Sequence, residues 1–259
     1  MPDIHNAPAL HSAAQILAMR QHEGAVVHFT VTPDWGQGRT TFGGLLSALA
    51  VQAMRDVCGA EWPLRALQTN FVGPVAAGRF DIDVQLLRQG KNVRQVQARL
   101  TQVDAEGQAQ TCGVMVGVFG SGRASQVPVL TLTPPEVVGG PESAMKWPYI
   151  PNLMPAFTQH MDVWHAQGGM PFTGSTDWFA RSFARLKDSQ GVDAELTAVL
   201  LADVGPTPAL AQLNSPAMAS SVSWALELRP VHGESADGIW RMDKTALATG
   251  EGYVNEKTE

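Results

Sequence analysis

Two adjacent glycines, Gly43 and Gly44, stand at the head of an apolar helical run, TTFGGLLSALAVQAMRD. A glycine pair there lets a substrate approach the backbone closely, and the free N–H groups of a helix start stabilise a developing oxyanion. Phe42 precedes the pair and would border the same site. A tight turn from strand to helix also uses glycine, so the pair has a purely structural reading as well. Asp203 closes a second apolar run, ELTAVLLAD, just before Val204-Gly205-Pro206. A carboxylate beside a buried apolar face is desolvated, its pKa rises, and it can take a proton from water. An aspartate capping the next short segment would give the same local sequence. Ser220, Ser221 and Ser223 open the run SSVSWALELRP. By strand alternation Ser221 and Ser223 share a face, from which a hydroxyl could orient a water or a thioester, although serines at a strand start also satisfy backbone groups. Asn70, in LQTNFVGPV, carries the same two readings.

What links these residues is an internal repeat. In each half an apolar helical run is followed by an extended segment ending at a proline, and the spacing from Leu46 to Pro74 matches that from Leu201 to Pro230 within one residue. A repeat of this length implies a duplicated folding unit rather than a solenoid. After Pro74 the first copy alternates in FDIDVQLLRQG and again in NVRQVQARLTQVD, turns at Asp104-Ala105-Glu106-Gly107, and returns as QAQTCGVMVGVFG. Period-two alternation bounded by Gly and Asp predicts antiparallel strands with one buried face. A helix with a wide apolar face, carrying Leu45, Leu46, Leu49 and Met54, needs a curved sheet around it. That arrangement is a hot-dog unit. The prediction is an α+β double hot-dog: two tandem units, each a long helix wrapped by an antiparallel sheet, joined side by side into one continuous sheet. The two copies differ where chemistry would sit. The position matching Gly43-Gly44 is apolar in the second copy, and the first has Ser47 or Ala48 where the second has Asp203. One half would carry the amide donors and the other the acid.

The 259 residues suffice for two cores of ordinary size. The units are assigned to residues 1–122 and 156–259, with a linker over 123–155 in which Pro128, Pro134, Pro135, Pro141, Pro148, Pro151 and Pro155 interrupt regular structure. Trp147, Tyr149 and Leu153 offer that linker apolar surface for docking. A short helix is expected around 9–21, a strand over AVVHFTVTP, two strand-like runs in AFTQHMDVWHAQ and TDWFARSFARL, and a helix opened by Asp193 as N-cap. The second copy ends in TGEGYVNEKTE, where the first turns and returns once more.

Composition narrows the class of function. Hydrophobic residues make up 44% and charged residues 16%, the balance of an ordinary globular protein. A net charge of −6 gives no electrostatic reason to expect nucleic acid or an anionic membrane as partner. The two cysteines, Cys58 and Cys112, form no disulfide framework, and the N-terminus has neither a basic leader nor an uninterrupted apolar stretch, so a cytoplasmic location is expected. No G-x-S-x-G, no phosphate-binding G-x-x-x-x-G-K-[ST], no H-E-x-x-H and no C-x-x-C occurs, which argues against a serine hydrolase elbow, a nucleotide loop and a metal site; no cofactor is expected. Asp162 and His165 are only three residues apart, unlike the spacing of a hot-dog hydratase. Trp164, Trp178 and Trp224 read as core or pocket wall, and Arg229 and Arg241 as solvated or phosphate-facing cations.

The runs TFGGLLSALAVQAM, TNFVGPVAAGRFDIDVQLLRQGKNVRQVQARLTQ, and VLLADVGP followed by SWALELRP resemble the thioesterase-like superfamily, in particular its acyl-CoA thioesterase II group. The resemblance implies a double hot-dog that hydrolyses thioesters with an aspartate, a hydroxyl and a glutamine orienting the attacking water. It places the aspartate at Asp203 and the hydroxyl at Ser220 or Ser221, and puts the glutamine on a strand after the residues present here. The residues and the resemblance together predict an acyl-CoA thioesterase. Asp203 would activate water, Ser221 would position it, Gly43 and Gly44 would polarise the carbonyl, and the acyl chain would lie between the central helices. The alternative is a non-catalytic binder of acyl-CoA or acyl lipid. Expected partners are acyl-CoA or a related thioester, with no nucleic acid and no membrane; open strand edges leave room for a homo-oligomer.

Overall fold

The computed structural model describes residues 10–59, 62–124, 126–128, 130, 139–228 and 237–259. The first unit opens with helix α1 (Ala13–Ala18), capped by Ser12 in a capping box with Gln15, and strands β1 (Gln21–Glu23) and β2 (Val26–Val31). A small ribbon, β3 (Gly36–Gln37) with β4 (Thr40–Thr41), leads into helix α2 (Gly43–Cys58). Strands β5 (Leu64–Phe71), β6 (Gly78–Gln89), β7 (Val93–Val103) and β8 (Ala109–Gly120) follow. Leu45, Leu46, Ala48, Leu49, Ala50, Val51, Ala53 and Met54 are all buried, so α2 is apolar nearly all round and can exist only enclosed. Its enclosure is the inner face of the sheet, where Phe80, Ile82, Val84, Val96, Ala98, Leu100 and Met115 point inward at alternate positions. Gly117 lets the helix sit this close, because a Cβ there would come within 2.6 Å of the Met54 sulfur. The turn at Asp104–Gly107 falls where the sequence puts it, with Gly107 at φ +79°.

The second unit is smaller. Strand β9 (Met145–Lys146) pairs with β10 (Met161–Gly168), which pairs with β11 (Phe179–Leu186). Helix α3 (Ala194–Leu201) begins at Asp193, whose carboxylate accepts from the Leu196 N–H, as the N-cap assignment requires. Then come β12 (Ser223–Glu227), β13 (Trp240–Gly250) and β14 (Tyr253–Thr258). The helices of the two units run antiparallel. The N-terminal turn of α2 meets the C-terminal end of α3 at the Leu200 carbonyl, while Arg55 near the end of α2 pairs with Asp193 and Glu195 at the start of α3.

The units join where expected, with β12 of the second half lying antiparallel to β5 of the first, Trp224 opposite Thr69. This is the double hot-dog arrangement. Apart from the β3–β4 ribbon, hydrogen bonding nevertheless divides the described strands into two sheets, β1-β2-β6-β7-β8-β5-β12 and β14-β13-β11-β10-β9. The continuity expected across both units is thus interrupted. In the first unit β8 lies between β7 and β5, and among the described residues no strand takes the matching place between β14 and β12.

Other expectations shift in detail. The first helix is shorter than the 9–21 span, the strand expected from Ala156 begins only at Met161, since Ala156–His160 turns as a 3-10 helix after Pro155, and Trp178 is 44% exposed rather than wall or core. The linker falls partly outside the described residues. Within 139–155, Trp147 packs against the core, whereas Leu153 is exposed.

Candidate functional site

Asp203 stands two residues beyond the end of α3, in a turn closed by the Val204 N–H donating to the Leu201 carbonyl at 2.9 Å. Gly205 follows at φ +87°, a backbone conformation open to glycine, and redirects the chain. The turn carries the carboxylate across to the N-terminus of α2. Its Oδ2 lies against Gly43, where a Cβ would come within 2.6 Å of that oxygen and 2.8 Å of the Phe71 ring. A Cβ on Gly44 would overlap the Leu200 carbonyl and the Phe42 ring. The glycine pair therefore allows a backbone-level contact between the two units, and it is this contact that delivers the acid. The other carboxylate oxygen, Oδ1, accepts from Ser221 Oγ at 3.0 Å. Ser221 is exposed, so the site opens to solvent on the hydroxyl side.

The electrostatics follow from this placement. Burial pushes the Asp203 carboxyl up from 3.8 to about 6. The Lys244 cation opposes this most strongly, followed by the Ser221 hydrogen bond, while Glu256 adds to the rise and the Gly44 N–H works weakly against it. The positive end of α2 acts in the same stabilising direction as that N–H. Desolvation outweighs them, which leaves a carboxylate that titrates near neutrality and so can both take and release a proton.

Lys244 is a site residue that sequence reasoning missed. It is 5% exposed, its Nζ donates to the Gly205 carbonyl at 3.0 Å, and it lies 3.5 Å from Glu256 Oε1. A signal for it existed in the repeat: FDIDV of β6 corresponds to WRMDK of β13, so that a lysine stands where the first copy has the buried Val84. A charged residue at a core position of one copy only is the mark of a functional departure.

The remaining candidates separate. Asp203, Ser221, Gly43 and Gly44 come together from both halves of the chain. Ser220 is exposed, and the hydroxyl that meets Asp203 is that of Ser221. Phe42 is fully buried, stacked on Phe157 at 3.9 Å, and belongs to the packing between the units. Asn70 is exposed and lies on the face of β5 opposite Phe71, turned away from Gly43. Contact between α2 and α3 at Gly44 leaves no passage between the helices at that point. Trp224 packs near Phe71, with ring centroids 6.5 Å apart, and extends the apolar wall beside the carboxylate. Asp162 is tied up by Lys146 and Arg185, and His165 by the Gly168 carbonyl, so they make no catalytic pair. Arg229 lies outside the described residues, while Arg241 is 3.6 Å from Asp243. Among the described residues no group of three or more His, Cys, Asp or Glu side chains could hold a metal ion, and no helix is long and apolar enough to cross a membrane.

The fold and the site define a double hot-dog protein with a carboxylate and a hydroxyl at the junction of its two units. The chain belongs to the acyl-CoA thioesterase family: residues 31–120 match the acyl-CoA thioesterase N-terminal domain and residues 134–259 the acyl-CoA thioesterase C-terminal domain. Solved structures agree in fold. A hot-dog-fold protein of unknown function from Alicyclobacillus acidocaldarius superposes with a TM-score of 0.78 at 17% identity, covering 96% of this chain and 91% of that one. An acyl-CoA thioesterase II from Mycobacterium marinum gives 0.68 at 15%, covering 94% and 89%. The TesB protein of Mycobacterium avium subspecies paratuberculosis gives 0.72 at 16%, covering 95% and 90%. No curated protein sequence matches.

Proposed function

We propose that this protein hydrolyses acyl-CoA thioesters, with Asp203 as general base for the attacking water. The observation that carries the reading is the partly buried carboxylate of Asp203, held by Ser221 at 3.0 Å and raised by desolvation to about 6 at the solvent-open junction of a thioesterase fold. A water beside Asp203 gives up a proton to the carboxylate as its oxygen attacks the thioester carbon. The carbonyl oxygen takes the negative charge, the tetrahedral intermediate collapses with loss of the C–S bond, and the proton held by Asp203 passes to the departing thiolate. The products are a carboxylic acid and free coenzyme A. Ser221 donates to one carboxylate oxygen and offers its own oxygen to the water, fixing the direction of attack. The Gly44 N–H lies near the carboxylate, at the head of α2 where the thioester carbonyl would be polarised. Gly43 and Gly44 contribute by admitting Asp203 and the Phe71 ring to the head of α2. Phe71 and Trp224 supply apolar surface for the acyl chain. We further assign residues 1–122 and 156–259 as the two units, with 123–155 as linker, and place the protein in the cytoplasm, where a thiol such as Cys112 stays reduced.

The test is hydrolysis of a panel of acyl-CoAs of increasing chain length. Asp203→Asn keeps the shape but cannot accept a proton, and activity is expected to fall at least about a hundredfold, the usual scale for loss of a general base. Undiminished turnover in a variant with an unchanged circular dichroism spectrum would remove Asp203 from the mechanism. Tight binding of every acyl-CoA without turnover by the wild type would favour the non-catalytic binder.

A further inference from the structure

The second unit buries a lysine where its twin buries a valine, and the cation sits behind the turn that carries the candidate base. On β6 the inward positions are Phe80, Ile82 and Val84; on β13 the matching positions are Trp240, Met242 and Lys244. An unpaired buried ammonium is costly, so its partners indicate what it is for. Among the described residues they are the Gly205 carbonyl, accepting at 3.0 Å, and Glu256 Oε1 on β14, at 3.5 Å. Gly205 is two residues after Asp203 and adopts a positive φ, so Lys244 grips the turn at its most deformable point. We infer that Lys244 is a positioning residue for the reaction, fixing the Asp203 turn through Gly205 and setting its ammonium behind that turn, with Glu256 as its counter-ion on the strand edge. This inference rests on the reading of Asp203 as general base.

Desolvation favours the neutral acid; Lys244 from β13 opposes it, Glu256 from β14 reinforces it, and the Ser221 hydroxyl and Gly44 N–H favour the anion. Lys244 is the first cause acting against burial, and Glu256 acts in the opposite direction. The pair therefore works as an adjustable counter-charge: its cation is buried and fixed, and its anion is more exposed, at 28% against 7% for the lysine side chain. The polar requirement at this position also explains why the second copy departs from an apolar core just here. A purely structural lysine would need only to satisfy its own charge, which the Glu256 carboxylate alone could do.

Two substitutions with opposite expected signs test the inference. In Lys244→Met the stem volume is kept and the cation lost, so the Asp203 proton is held to higher pH; in Glu256→Gln the anion is lost, so it is released at lower pH. The direct measurement is the titration of the Asp203 carboxyl by carbon-detected NMR on the full chain, which reads the shift whether or not the protein is active. Lys244→Met is expected to move the midpoint upward by about one pH unit, and the rising limb of kcat/KM with it. The result is a roughly tenfold loss of activity on the acid side that recovers at alkaline pH. Glu256→Gln is expected to move both midpoints downward and, being at the sheet edge, keeps the test open should the lysine variant fold poorly. Unmoved carboxyl midpoints in both variants overturn the inference. Carboxyl midpoints that move while the activity profile stays put leave the electrostatics intact and instead refute Asp203 as the base.

Discussion

At the scale of single residues, the protein places an acid where burial works against its charge, and this has a consequence for stability. In the unfolded chain Asp203 loses its proton near pH 3.8, whereas in the fold it keeps it to about 6. Between those values the folded state binds more protons than the unfolded one, so the stability associated with Asp203 is fully present below about pH 4 and is lost as pH rises through 6. At about 1.4 kcal/mol per pH unit the penalty above pH 7 is at most about 3 kcal/mol, and solvent reaching Ser221 reduces the expected value to about 1–2 kcal/mol. Asp203→Asn, the variant expected to lose activity, is therefore expected to be more stable than the wild type at pH 8 and to lose that advantage below pH 4. Urea denaturation at the two pH values checks this. A variant less stable than the wild type at pH 8 would show that the folded state prefers the charged carboxylate after all. Stability sacrificed at one residue in this way is expected at a site that must deprotonate water, because the desolvation that raises the basicity of the carboxylate also weakens the fold.

At the scale of elements, the glycine pair opening α2 separates packing from chemistry. Alanine in a helix is normally favoured over glycine by about 0.5–1 kcal/mol, so substitution at an open position would stabilise α2. At Gly44 the added methyl meets the backbone carbonyl of Leu200, which cannot swing away without moving α3. Gly44→Ala is accordingly expected to lower stability by about 1–3 kcal/mol, the range for an overfilled contact. At Gly43 the methyl meets the Asp203 carboxylate and the end of the Phe71 ring, both of them side chains that can shift. Gly43→Ala should therefore cost less stability and at least about tenfold in activity, since a displaced base loses its alignment. Thermal melts and turnover measured on both variants separate the two roles; equal losses in both would merge them. The same elements show what a sequence can and cannot disclose. The helix–meander pattern, the turn at Asp104–Gly107 and the Asp193 cap were legible because each is written in a local period or a local cap. The meeting of Asp203 with Gly43 was suggested only by the complementary differences between copies. Lys244 stood out only as a departure between the copies, and its role was not legible because its partner carbonyl, 39 residues away, becomes a neighbour only when β13 lies against the α3 turn. Phe42 looked like a site residue by adjacency, yet Phe157 from the other unit claims its ring, a contact no local pattern encodes.

At the scale of the whole molecule, the two units are tied at both ends of their helices and through a shared strand pair, so they are not expected to fold as independent domains. The helices cross-link at both ends, through the glycine contact at one and the Arg55 pairs with Asp193 and Glu195 at the other. Glu195 also accepts from the Leu64 N–H at 2.9 Å, tying the start of α3 to the first residue of β5, and β5 is the strand that carries β12. Arg55 is thus bound to the start of α3 and, through Glu195, linked to β5, and its side chain is only 11% exposed. Removing it leaves Asp193 and Glu195 facing each other without their cation, a loss of about 1 kcal/mol, since Glu195 is partly buried but Asp193 is exposed and screened by solvent. If the junction integrates the molecule, Arg55→Ala lowers one common unfolding transition, with calorimetric and van't Hoff enthalpies remaining equal. If the units are merely tethered, the variant splits the melt into two transitions, with the smaller second unit unfolding first. The first outcome is expected, because the carboxylate of one half and the glycine contact of the other form a site only while both halves are folded together. A split melt would mean that each unit is stable alone and that the site assembles by docking, and it would also predict a rate of hydrolysis that falls well below the temperature at which the first unit melts.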